Sequence, residues 1–425
     1  MKAVSIALLA GMLGCALVQP GRAAEAAKFH EKVLWSFGSG TDGQYPSSGL
    51  IDVKGMLYGT TAGGGGGAGC GGSGCGTVFS VDPDTGAEKV LYSFCSQQNC
   101  TDGANPDGGL IAVNAVLYGT TQVGGANDSG TVYALDPKTG AEKVIYSFCA
   151  LAYCTDGEYP SAGLADANGA LYGTTEGGGA DDSGTVFALD PDTGAETVRH
   201  SFCTLENCAD GAYPAAALLA AGGTLYSTTA YGGGSTCEGS GCGTVFSLDP
   251  KTGAETVLHS FAGGADGQEP LAGLIDVNGT LYGTTFFGGQ AGCSRDGCGT
   301  AFSVDPGTGA ESVVYAFCQQ QYCPDGALPS AGLFGKKGKL YGTTAYGGRT
   351  GCPQTGDCGT VFSVDPVTGT EDVLYEFCNR KNCTDGWSPQ ASLIVVKGAL
   401  YGTTSEGGAH GHGTVFTLGG KAMIR

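Results

Sequence analysis

The pentapeptide Leu-Tyr-Gly-Thr-Thr recurs seven times along 425 residues, beginning at Leu57, Leu117, Leu171, Leu225, Leu281, Leu340 and Leu400, with Ser227 replacing the glycine of the fourth copy. Successive copies lie between 54 and 60 residues apart. That spacing is too regular for chance and too long for a short-period solenoid, so each unit is one supersecondary module and not a domain.

The unit around the second copy shows what the module is. Gly109–Val113 reads as a strand, Asn114-Ala115 as a tight turn, and Val116–Thr121 as a second strand. A glycine-rich loop leads to Gly130–Leu135, the turn Asp136-Pro137-Lys138-Thr139-Gly140, and a fourth strand, Lys143–Phe148. In that turn proline presets φ, aspartate caps the backbone and glycine takes positive φ. Short β-branched and aromatic runs joined by turn signals are hairpins. Four strands in roughly 55 residues is the size of one propeller blade.

Third strands recur from Gly76, Gly130, Gly184, Gly243, Gly299, Gly359 and Gly413. Fourth strands recur as Val33–Phe37, Val90–Phe94, Val144–Phe148, Val198–Phe202, Val257–Phe261, Val313–Phe317 and Val373–Phe377. The first of these has no blade of its own, and the last unit stops at a third strand, Thr414–Leu418. The expected fold is therefore all-β: one seven-bladed β-propeller over residues 25–418, made of four-stranded antiparallel blades. The N-terminal strand completes the last blade, which hides edges that an open array exposes. A calcium-binding β-helix, suggested by Gly178-Gly179-Ala180-Asp181, has the wrong period.

Residues 1–24 read as a secretory leader: Lys2, an apolar run from Ala3 to Val18, and Gly21-Arg22-Ala23 before the cleavage point. Residues 419–425 form a short tail. The expected location is secreted or periplasmic, without membrane insertion, since no other apolar stretch of about 18 residues exists. The formal net charge is −20, and the leader removes Lys2 and Arg22 but no acid. Such a surface repels nucleic acid and anionic membranes. The 80 glycines sit at fixed places in each repeat, which is turn chemistry and not low complexity.

Of 19 cysteines, one, Cys15, falls in the leader. The others form close pairs: Cys70 with Cys75, Cys95 with Cys100, Cys149 with Cys154, Cys203 with Cys208, Cys237 with Cys242, Cys293 with Cys298, Cys318 with Cys323, Cys352 with Cys358, and Cys378 with Cys383. Loops that lack one member lack both and are shorter, so each pair is expected to be bonded within its own loop. Zinc is the competing reading, but the spacing is longer than a zinc knuckle and an exported chain meets an oxidising compartment. In an up-and-down blade the cysteine loops, second-to-third and fourth-to-first, share one face of the disc. Function usually lives in loops held by a rigid scaffold.

That stapled face carries an Asp-Gly in every fourth-to-first loop, at Asp42, Asp102, Asp156, Asp210, Asp266, Asp325 and Asp385. The aspartates either ring the central channel and hold Ca2+ or cap backbone amides ahead of each inner strand. Capping is favoured because the motif recurs in every blade. Cationic residues on this face fall in one sector, blades five to seven: Arg295, Arg349, Arg380, Lys381, His410 and His412. Trp387 and Tyr346 lie in the same sector, with Tyr231, Phe286 and Phe287 nearby. Aromatic planes beside guanidinium groups suit a sugar ring bearing a carboxylate. His410 and His412 alone make a weak metal pair, and no metal or other cofactor is assigned. His200 and His259 stand where other blades have tyrosine and read as sheet-packing residues.

Leu-Tyr-Gly-Thr-Thr-x-x-Gly-Gly, Gly-Thr-Val-Phe, Val-Leu-Tyr-Ser-Phe and Asp-Gly-x-x-Pro together resemble the Gloeobacter/Verrucomicrobium-type tandem repeat of secreted bacterial proteins, over residues 31–418. The resemblance implies a propeller and export, and transfers no catalytic residue. The functional expectation is a monomeric binding module for glycans, acting through blades five to seven. One alternative is a lyase or hydrolase of acidic polysaccharide, with His410 or His412 and Tyr346 moving protons and Arg349 neutralising a uronate. Another is a structural cell-surface protein.

Overall fold

A computed structural model describes residues 29–38, 41–66, 69–289, 293, 297–348 and 358–419, so the expected leader at 1–24 and the tail from 420 lie outside the described residues. The chain forms seven four-stranded antiparallel sheets. Blade one contains Ile51–Val53, Met56–Thr61, Thr77–Val81 and Glu88–Ser93, adjacent in chain order. Blades two to six repeat this order. Blade seven contains Ile394–Val396, Ala399–Thr404 and Thr414–Gly419, and its fourth strand is His30–Ser36 from the other end of the chain. Val33 pairs with Phe416 and Trp35 with Val415. The first strands of blades seven and one also touch, which closes the ring.

First strands are three residues long, Ile111–Val113 for example, shorter than the sequence suggests. At the axis adjacent blades meet backbone to backbone. A Cβ on Gly163 would lie 3.0 Å from the Gly109 carbonyl, and one on Gly273 would lie 3.1 Å from that of Ala217. The outer turns follow the expected mechanism. Asp82 Oδ1 accepts from the amides of Asp84 and Thr85, and Gly86 has φ 76°. Gly86 also abuts the previous blade: its Cβ would lie 2.9 Å from the Leu34 carbonyl. Leu34 is the residue left unpaired where the third-to-fourth register shifts, a β-bulge repeated in every blade.

Each position of the pentapeptide has a task. Its leucine is buried in all seven copies. Its glycine makes room: a Cβ on Gly59 would meet Phe79 at 2.7 Å and Leu50 at 2.9 Å. Its second threonine works within the blade, Thr121 Oγ1 bonding Thr131 Oγ1 at 2.8 Å and donating to the Val123 carbonyl at 3.0 Å. Its first threonine works between blades, Thr120 Oγ1 donating to the Ala162 carbonyl at 2.9 Å. The same bond closes the ring, from Thr403 to the Ser48 carbonyl at 3.3 Å.

A phenylalanine ending each fourth strand packs edge-to-face on an aromatic ring in the third strand of the next blade. The pairs are Phe37–Phe79, Phe94–Tyr133, Phe148–Phe187, Phe202–Phe246, Phe261–Phe302, Phe317–Phe362 and Phe377–Phe416, with centroids 4.9–5.1 Å apart. This geometry adds about 0.5–1.5 kcal/mol per pair beyond area burial. Among the described residues no helix is long and apolar enough to cross a membrane. Phe377→Ala should cost about 3–5 kcal/mol, whereas Val367→Ala, in an exposed outer turn, should change stability by less than about 0.5 kcal/mol. Urea unfolding of both variants checks this; equal losses would remove the interface from its central place.

Candidate functional site

Eight disulfides join the expected partners, from Cys70–Cys75 to Cys378–Cys383. Cys358 is also disulfide-bonded, while Cys352 lies outside the described residues. The two kinds of cysteine loop do share a face. Sulfurs of Cys70, Cys75, Cys95 and Cys100 lie within 4.8 Å of one another, and so do those of Cys293, Cys298, Cys318 and Cys323. Further bonds knit the loops, as where the Gly125 amide donates to the Cys100 carbonyl at 2.9 Å and that of Gly179 to Cys154 at 3.0 Å. A protein so stapled belongs to an oxidising environment.

The Asp-Gly aspartates cap backbone, as the recurrence suggested, but they reach upstream and not toward the inner strand. Asp102 Oδ2 accepts from the Ser96 amide at 2.8 Å and Oδ1 from that of Gln97 at 3.3 Å. Most also take a side-chain donor from the preceding outer strand. Tyr92, Tyr146, Tyr315 and Tyr375 donate their hydroxyls to Asp102, Asp156, Asp325 and Asp385 at 2.7–2.9 Å. Trp35 Nε1 serves Asp42 at 3.3 Å. His200 and His259 hold the same place, 3.7 Å from Asp210 and 3.3 Å from Asp266. The aspartates thus sit against the outer strands and do not form a ring around the axis.

A glutamate from the next blade's outer strand joins each aspartate: Glu88, Glu142, Glu196, Glu255, Glu311, Glu371 and, in blade seven, Glu31. Burial, and then the neighbouring aspartate, push Glu88, Glu142, Glu196, Glu255 and Glu311 up to about 7, and Glu371 up to about 8. Burial also raises Glu31 to about 7, although Arg380 beside it at 2.6 Å pulls the other way.

At the rim, the second residue after each pentapeptide bridges to the residue after Asp-Gly. Tyr231 bridges to Ala212, Phe287 to Gln268, Tyr346 to Ala327 and Trp387 to Glu406. Tyr231, Phe287 and Tyr346 therefore occupy one position on three consecutive blades. Between blades four and five a cleft of about 300 Å³ is lined by Tyr231, Ser240, Gln268, Glu269, Phe287 and the Cys237–Cys242 bridge. Every exposed tyrosine among the described residues, namely Tyr45, Tyr153, Tyr159, Tyr213, Tyr231 and Tyr322, lies in a loop of this face.

The cationic sector is less open than its sequence suggests. Arg380 is half exposed but bound to the Glu31 carboxylate, and to its carbonyl at 2.9 Å. Trp387 is 7% exposed and packs in the core with Phe377 and Cys383. Its ring offers no open stacking face. Phe286 is half-buried and packs edge-to-face on Phe287. Lys381 and His410 are exposed. His412 Nδ1 lies 3.1 Å from the Tyr45 hydroxyl, and the two rings pack edge-to-face. Among the described residues no third metal-ligating side chain joins His410 and His412. Arg295 and Arg349 lie outside the described residues.

A family model described as the Gloeobacter/Verrucomicrobia repeat matches residues 24–240, 68–295 and 234–423. The chain belongs to the Gloeobacter/Verrucomicrobia repeat family. No curated protein matches it. The fold of this Gloeobacter/Verrucomicrobia repeat protein resembles the extracellular domain of a protein assigned as a hybrid two-component system of B. thetaiotaomicron: TM-score 0.55, 10% identity, 92% of this chain and 39% of that one. A protein assigned as a 6-phosphogluconolactonase of Bacteroides uniformis gives TM-score 0.49, 16% identity, 84% of this chain and 89% of that one. Oligogalacturonate lyase in complex with manganese gives 0.45, 11% identity, 81% and 83%. At such identities the likeness is one of fold.

Sequence reasoning missed the glutamate row, although a glutamate two residues after the glycine of each Asp-Pro-x-Thr-Gly turn was its signal. The row makes stability depend on pH. Unfolded, these carboxyls titrate near 4.5, and folded, near 7. Between those values the folded protein binds more protons than the unfolded one, so its stability falls as pH rises through the interval. His200, held below its ordinary value by burial, opposes this as one group against seven. Tm should be higher at pH 5 than at pH 8; a Tm that climbs across that interval would contradict the burial of the row.

Proposed function

We propose that this protein is an exported binding module that recognises carbohydrate through its stapled face. One observation carries the reading: all exposed tyrosines among the described residues lie on that face. Tyrosine presents a flat apolar ring and a polar tip at low entropic cost, which suits a sugar's alternating C–H faces and hydroxyls. Tyr231 stands 37% exposed at the mouth of the blade four to five cleft, with Tyr213 edge-to-face at 5.8 Å. Gln268 and Ser240 offer hydroxyl partners there. The disulfides hold the loops in their bound shape in advance, which lowers the ordering cost of binding.

The centre of the surface is moved from blades five to seven toward blades three to five, because Trp387 is buried and Arg380 is paired with Glu31. Glu269 in the cleft and the net charge of −20 favour a neutral glycan over a uronate. A glycan array with the purified protein tests this. Neutral oligosaccharides should bind, and Tyr213→Ala with Tyr231→Ala should weaken binding by about tenfold or more, the equivalent of about 1.4 kcal/mol. A blank array, or undiminished affinity in the double variant, would leave a structural surface role as the better account.

A further inference from the structure

The boundary between blades four and five departs from the sevenfold pattern in three ways at once. His259 replaces the tyrosine of four sister boundaries, so the donor to the rim aspartate is also a metal-ligating nitrogen. The loop from Ala262 to Ala265 has no disulfide and gives Asp266 the Ala262 amide at 2.6 Å, where Asp102 takes two amides and a serine hydroxyl. The Asp266 side chain is 23% exposed, against 2% for that of Asp210, and Asp102, Asp156 and Asp385 are fully buried.

From the next blade Glu311 brings its carboxyl to within 4.8 Å of that of Asp266, and its Oε1 is buried without a partner. One ligand atom from each of His259, Asp266 and Glu311 lies within 4.8 Å of the other two. We propose that these three residues bind a divalent transition-metal ion of the zinc class, joining blades four and five. An imidazole with two carboxylates selects such an ion over calcium or magnesium, which prefer all-oxygen shells. Two carboxylates match its charge. Three protein ligands leave a fourth position for water.

The preceding boundary is a built-in control. His200, Asp210 and Glu255 repeat the residue types, yet the Cys203–Cys208 loop gives Asp210 two amides and the Thr204 hydroxyl. His200 Nε2 is buried 3.7 Å from Asp210, and these residues do not converge as a ligand set.

The experiment uses untagged full-length protein, cleared with a chelator and titrated with Zn2+ by calorimetry and with Co2+ by visible absorption. One equivalent should bind. His259→Tyr, which installs the residue of the sister blades, and Glu311→Gln should each weaken binding by about tenfold or more. His200→Tyr and His410→Ala should leave it unchanged. Absence of binding, wild-type affinity in His259→Tyr, or loss in His200→Tyr or His410→Ala would overturn the assignment. If His259→Tyr does not fold by circular dichroism, Glu311→Gln decides.

Discussion

Each blade of this propeller is held by its neighbour more than by itself. The phenylalanine closing an outer strand lodges against an aromatic ring of the following blade, and the first threonine of the pentapeptide bonds the following blade's backbone. A single blade is one repeat unit that cannot bury its apolar faces alone and does so against its neighbours. Because the contact is the same at all seven boundaries, including the one from blade seven to blade one, the ring has no weak end. The strand His30–Ser36 matters for this reason: it supplies Phe37, and Phe37 supplies the last joint.

On that ring the loops divide their labour by face. Asp-Pro-x-Thr-Gly turns are short, self-capped and alike. The opposite loops vary in length, carry the disulfides and display the exposed tyrosines. Beneath them most rim aspartates accept backbone amides together with a tyrosine or tryptophan donor. Such a foundation lets loop tips change without loosening the blades. A glutamate row at the outer strands places a second carboxyl beside each aspartate, so protonation and blade contact are coupled around the whole disc.

Much of the fold was legible because the signals were local or repeated. The phase of the repeats located the closing strand, and paired loss of cysteines located the bridges. The site was harder to read. In an open sheet, alternation of polar and apolar residues tells which side faces water. Here both faces of every blade are covered by neighbours, so Tyr92, His259 and Glu142 gave no sign of the aspartates they meet across a boundary. Trp387 misled for a related reason: one residue after an Asp-Gly turn, it reads as a loop aromatic, yet its backbone bridges to Glu406 and turns the ring into the core.

The amino-acid sequence alone determined the number of blades, their strand order, the ring's point of closure and the partners in eight cysteine pairs, because these follow from period, phase and short-range spacing. Only the tertiary structure decided which carboxylates meet which donors, which aromatic rings stay open to solvent, and where a histidine joins two acids. Those relations are set where each rim loop folds back on its outer strand and where the next blade packs against it, and no alternation of polar and apolar residues records them.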